Sequence, residues 1–257
     1  MNETRSPVRR RLRTLALVLG ALLLVLVGAL LLADRPRPEG QYGSEADVLA
    51  HRMLEAVNDA AWQQTGAVRW DFGGRQQHLW DRERQLARVR WQDAEVLLDL
   101  TTQEGIARRG GEEVTGAEAE ELLAQAWSHW CNDSFWLNPV SKVFDSGTRR
   151  SLVDVGDGEQ GLLVEYEEGG VTPGDTYLWF VGKDGLPTRW RMWTQILPLG
   201  GVEASWQGWI TLDSGARVAT HHDIFFLDLV LSNVEAAETL AVLESGEDPF
   251  AALLEGS

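Results

Sequence analysis

Residues 14–33 read TLALVLGALLLVLVGALLLA, twenty residues without a charge. That is the length a helix needs to cross roughly 30 Å of hydrocarbon. Arg5, Arg9, Arg10, Arg11 and Arg13 precede it, against Glu3 alone. Arginines next to such a span stay on the cytoplasmic side, so the chain after it is expected outside the cytoplasm. A cleaved signal peptide is the other reading. Its apolar core runs about 7–15 residues, shorter than this one, and Ala33-Asp34 is a poor small-residue cleavage site. The sequence therefore predicts a single-pass inner-membrane protein. It divides into a basic cytoplasmic head at 1–13, an anchor at 14–33, a polar linker at 34–44, a folded domain at 45–235 and an acidic tail at 236–257. The linker holds Pro36, Pro38 and Gly40 among charges, which suits a stiff spacer.

The chain of 257 residues carries a net charge of −16. The head contributes +4, so the remainder carries −20. Charge of that sign repels nucleic acid and anionic surfaces over a Debye length, and it favours a basic protein partner. Cys131 stands alone, so neither an intramolecular disulfide nor a cysteine metal cluster is available. It also lies far from the apolar run, which excludes a lipid-modified N-terminal cysteine.

Ser44 to Asp47 resembles a helix start, and Val48, Leu49, Met53, Leu54 and Val57 recur at helical spacing. A helix over 45–62 is predicted. From Gly66 the period becomes two. Val68, Trp70 and Phe72 alternate with charges, then Ala87, Val89 and Trp91, then Val96, Leu98 and Leu100, with a further strand at 105–109. Thr115 and Glu118 open a second predicted helix at 115–130, which Asn132-Asp133 is expected to end. Strands resume at 152–155, 162–166, 177–181, 188–196, 202–212 and 216–231. Residues 177–181 are apolar on both faces, as in a strand covered on both sides. The fold class is α+β: a strongly curved antiparallel sheet, an unclosed half-barrel, with covering helices and one preceding transmembrane helix.

This architecture resembles the periplasmic lipoprotein-carrier (LolA/LolB-like) superfamily. The match covers roughly 45–235 and rests on the helix at 45–62, the meander at 66–109, the helix at 115–130 and the hairpins at 148–231. Two local phrases fit it, the strand-turn-strand from Tyr177 to Pro187 and the run Gly208 to Leu212. The resemblance implies helices acting as a lid over an apolar cavity. Carriers of that kind are soluble or lipid-anchored, so the membrane helix departs from the pattern.

Twelve tryptophans are the most unusual feature of the composition. Trp70, Trp91, Trp179, Trp190 and Trp206 fall on predicted strands. Leu123, Trp127 and Trp130 share one face of the second helix, four and three residues apart. These eight are the candidate cavity lining. Large aromatics fill cores equally well, and the same pattern serves both readings. Arg88, Arg90, Arg189 and Arg191 alternate with apolar positions, as on a wet outer face or opposite an anionic headgroup.

Catalytic signatures are weak. His221 and Asp223 share a strand face, but no second ligand pair stands nearby, and a polar strand edge explains them. Ser128, His129 and Ser134 lie outside any nucleophile motif, and the chain has neither G-x-G-x-x-G nor a Walker sequence. No enzyme activity and no cofactor are expected. The leading function is a binding module for a lipid, an acylated protein or another apolar ligand. The rival is a membrane-tethered interaction or sensor domain whose interior is only core.

Overall fold

The computed structural model describes residues 34–255 and Gly20. The expected anchor at 14–33, Gly20 apart, lies outside the described residues. Among the described residues no helix is long and apolar enough to cross a membrane.

The protein is α+β, built on one open antiparallel sheet of fourteen strands. After β1 (Gln41–Tyr42) come helices α1 (Ser44–Ala56) and α2 (Asp59–Gln64). A meander follows: β2 (Ala67–Phe72), β3 (Gln76–Asp81), β4 (Leu86–Trp91), β5 (Ala94–Asp99), β6 (Gly105–Arg109) and β7 (Glu112–Glu113). Helix α3 (Ala117–Leu137) leads to β8 (Thr148–Gly156), β9 (Glu159–Tyr166), β10 (Thr176–Val181), β11 (Pro187–Trp193) and β12 (Val202–Ser205). A small separate hairpin, β13 (Ile210–Thr211) with β14 (Arg217–Val218), precedes β15 (His221–Ile224) and β16 (Leu227–Ala237). Strand β16 joins the halves by pairing with β2, Leu231 opposite Phe72. The sheet does not close, because β1 and β7 remain its edges.

The predicted first helix is two. Asn58 adopts a left-handed backbone (φ 54°) and ends the first before Asp59 starts the second. Asparagine tolerates this conformation better than branched residues do. The predicted end of the second helix at Asn132-Asp133 is also corrected, since α3 runs on to Leu137. Both residues favour helix ends in isolation. Here Asp133 is buried and bonded across to the sheet, and that partner outweighs local propensity.

Period-two alternation assigns the two faces. On the inner face Val68, Trp70, Val89, Val96 and Trp179 meet α1 and α3 in one core. On the outer face of the first half, Ala67, Leu79, Leu86 and Leu97 are covered by Leu240 and Phe250 from the tail. The tail is thus a packed element over part of its length, with Phe250 0% exposed. On the other half Leu163, Leu178 and Phe180 form an outer cluster, so β10 is covered on both sides, as its sequence predicts.

Residues 34–42 follow the sheet. The Gly200 amide donates to Asp34 Oδ1 (2.8 Å), and Trp193 Nε1 donates to the Arg35 carbonyl (2.7 Å). Arg37 meets Glu165 at 3.0 Å. The proline-bearing segment is held by these contacts along the ends of several strands.

Candidate ligand-binding face

Helix α3 crosses the inner face. Its buried stripe is Leu122, Ala126, Trp130, Asp133 and Leu137, spaced four, four, three and four, with Trp136 beside it. The stripe expected from sequence used Leu123, Trp127 and Trp130. Trp130 belongs to it, whereas Leu123 and Trp127 are half-buried at its flank.

In the first half of the sheet, Trp70 stacks on His78 at 4.5 Å between ring centroids. Trp130 meets Trp70 at 5.9 Å and Trp80 edge-on at 4.9 Å. His78 Nε2 donates to Asp133 Oδ2 over 2.7 Å, with the side chains 0% and 2% exposed. Asn132 Nδ2 donates to the other carboxylate oxygen (2.8 Å). The pair can orient an imidazole, as catalytic dyads do. His78 Nδ1 has no hydrogen-bond partner among the described residues. At the far end Arg82 lies 4.6 Å from the Trp62 ring and 4.9 Å from the Trp80 ring. Burial lowers its pKa, while Asp59 opposes the shift.

In the second half, Trp190 is the centre. Tyr177, Trp136, Trp179 and Trp206 surround it at 4.6, 4.7, 4.8 and 4.9 Å. Phe135 of α3 reaches Tyr166, Tyr177 and Trp190. His222 is fully buried beside Trp206 (4.3 Å) and Trp136 (5.1 Å). Its Nδ1 donates to the Ser205 carbonyl (3.0 Å). Desolvation pushes its pKa down to about 4 despite that bond. Sequence alternation separates Trp206 from Trp209, but their rings meet at 6.2 Å. The chain turns at Gly208 (φ 62°), which ends the alternation between them.

The candidate lining therefore falls into four places. Trp70 and Trp130 join one cluster, and Trp179, Trp190 and Trp206 the other. Trp91 sits at the rim, edge-on to His129 at 5.2 Å, and Leu123 and Trp127 lie half-buried on the side of α3. Trp91 also lines an open depression of about 470 Å³ at the turn end of the first meander, with Asp71, Arg75, Gln76, Arg90 and Glu95. Most of its lining residues are charged or carry amide side chains. His78, Asp133, Trp136 and His222 join the aromatic clusters although none is in the candidate lining. Asp133 had a visible signal, being a carboxylate in register with an otherwise apolar helical stripe.

No family model matches the chain, and no curated protein matches it. Among solved structures it is similar to a DUF1329 family protein from Desulfovibrio piger, at 11% identity. The TM-score is 0.42, over 78% of this chain and 97% of that one.

The inner face carries buried polar atoms without a partner among the described residues. They include the indole Nε1 of Trp70, Trp80, Trp179, Trp190 and Trp206, Nε2 of His222 and the Tyr166 hydroxyl. Each indole or hydroxyl donor left dry costs about 1–3 kcal/mol. His221 and Asp223 point elsewhere. His221 Nδ1 lies 3.1 Å from Thr220 Oγ1, and Asp223 Oδ2 accepts from Gln207 (2.9 Å). Among the described residues no group of three metal-ligating side chains forms. The four arginines lie on the outer face. Arg189 and Arg191 meet Glu203 at 3.2 and 3.1 Å, Arg90 meets Glu95, and Arg88 approaches Glu244 at 4.0 Å.

Proposed function

We propose that this chain is a membrane-anchored, extracytoplasmic binding module, without catalysis, for a lipid, an acylated protein or another apolar ligand. The ligand lies between α3 and a curved inner sheet face, with α3 acting as a lid. The observation that carries this reading is the set of unpartnered indole donors among stacked aromatics. Aromatic walls with a few convergent polar atoms suit an acyl chain ending in a carbonyl or carboxylate. The lipoprotein-carrier resemblance of the sequence points the same way, and fold analogy by itself warrants no function.

A second reading has its own observation. Trp190 is enclosed by four rings at under 5 Å, which is how a filled core packs. On that reading the protein is a tethered interaction domain whose acidic surface meets a basic partner. Native mass spectrometry of the chain from Asp34 onward, purified from its own host, separates the two. Co-purified lipid or acylated peptide, lost on Trp190→Ala, supports the module. A ligand-free mass that stays unchanged with added fatty acid supports the interaction domain.

A further inference from the structure

One end of the sheet collects exposed apolar side chains. Strands β15 and β16 are joined by a two-residue hairpin, Ile224 pairing with Leu227. Phe225 is 68% exposed, Phe226 92% and Leu227 59%. Such a tip ordinarily takes Asn, Asp or Gly, because its backbone is left-handed. Here Phe225 holds φ 55°, a conformation costly for a bulky residue. Phe226, at 92% exposure, packs against almost nothing among the described residues.

The register shows which end this is. Ala204 pairs with Ile224 in antiparallel sense, so the hairpin tip comes level with Val202, which itself pairs with Met192. The loop between β11 and β12 therefore lies beside the tip, and it exposes Ile196 (69%). Trp193 pairs with Thr176, so the loop between β9 and β10 shares this end, with Val171 48% exposed. Among the described residues, five of the eleven exposed large hydrophobics stand in these three loops or, for Leu227, on the first residue of β16. The same end receives the chain from the apolar run, since Asp34 and Arg35 are bonded to Gly200 and Trp193.

We infer that this end of the sheet rests in the interface of the bilayer that holds the tether, with Phe225, Phe226, Leu227 and Ile196 in the headgroup–acyl boundary. Apolar side chains at a membrane surface gain by leaving water, and a covalent tether raises their local concentration against it. The flanking Asp223 and Asp228 and the acidic domain oppose an anionic surface, so the fit is to zwitterionic headgroups. The inference rests on reading 14–33 as an anchor.

The test uses the full chain carrying Cys131→Ser, in phosphatidylcholine nanodiscs. A nitroxide is placed at Leu227→Cys, Ile196→Cys or, as a control outside these loops, Val242→Cys. Relaxation by oxygen and by an aqueous nickel chelate is compared. The ratio favouring oxygen is expected to be several-fold higher at 227 and 196 than at 242. Phe225→Ser with Phe226→Ser is expected to return the 227 label to water, and phosphatidylglycerol to shift it the same way. Labels at 227 and 196 as wet as that at 242 overturn the inference, including the case where a protein partner occupies the tip instead. Release of the chain from membranes by alkaline carbonate overturns the tether and the inference with it, and so is distinguishable from the first failure.

Discussion

His78 on β3 and Asp133 in the last third of α3 share a 2.7 Å hydrogen bond that is sealed from solvent on both sides. It ties the first meander to the helix that crosses the inner face. Two polar residues in a dry core are tolerable only together. Asp133→Ala leaves the imidazole donor unpaired and is expected to cost about 3 kcal/mol of folding stability. Replacing both partners by apolar residues is expected to cost less than Asp133→Ala alone. Urea midpoints of the two single variants and the double variant give the coupling directly.

The register of α3 is testable through its tryptophans. Trp130 is 6% exposed and packed between Trp70 and Trp80. Trp130→Ala is expected to lose about 3–5 kcal/mol, whereas half-buried Trp127→Ala loses under about 1 kcal/mol. Equal losses at the two positions, measured by thermal melts, would favour the stripe read from sequence spacing instead.

His222 makes stability depend on pH. Its folded pKa is about 4, below the ordinary 6.5, so the unfolded chain binds the extra proton between those values. Its contribution is constant above pH 6.5 and is lost as pH falls toward 4, by about 3 kcal/mol in all. His129 is lowered in the same direction by burial. His222→Gln keeps a donor for the Ser205 carbonyl and is expected to flatten most of this slope, leaving the part due to His129. Denaturant melts at pH 7 and pH 4.5 read the difference.

The tail covers the outer face. Phe250 is 0% exposed against Leu79, Leu86 and Leu97. Phe250→Ala is expected to cost about 3–4 kcal/mol and to raise binding of an apolar surface dye. The ion pair Arg84–Asp248 beside it is partly exposed, and Asp248→Asn is expected to cost under about 1 kcal/mol.

Topology is checked by a reporter enzyme fused after Ser257. An enzyme active only in the periplasm is expected to work there. Activity of a cytoplasm-only reporter in its place would invert the orientation.

Much of the sheet was legible in the residues. Alternation marks β2, β4 and β5 because each turns one face from water, and an unbroken apolar run marks β10 because both of its faces are covered. The end of α3 was not legible, since Asn132-Asp133 looks like a terminus until His78 is placed opposite. Nor was the contact of Trp206 with Trp209, which depends on a turn at Gly208. The division of the candidate tryptophans into two clusters with one at the rim follows from strand order and the path of α3.

By itself the sequence determined what local pattern can carry: an uncharged run of twenty residues, the alternation of the strands, the acidity of the domain and the lone thiol. These depend on neighbours within a few positions, where spacing and chemistry suffice. Tertiary structure alone decided which distant groups meet. It paired β16 with β2, sealed Asp133 against His78, laid the tail over the outer face and set Phe226 at the sheet end where Asp34 enters. Those outcomes depend on packing between segments far apart in the chain, and no local period encodes the partner.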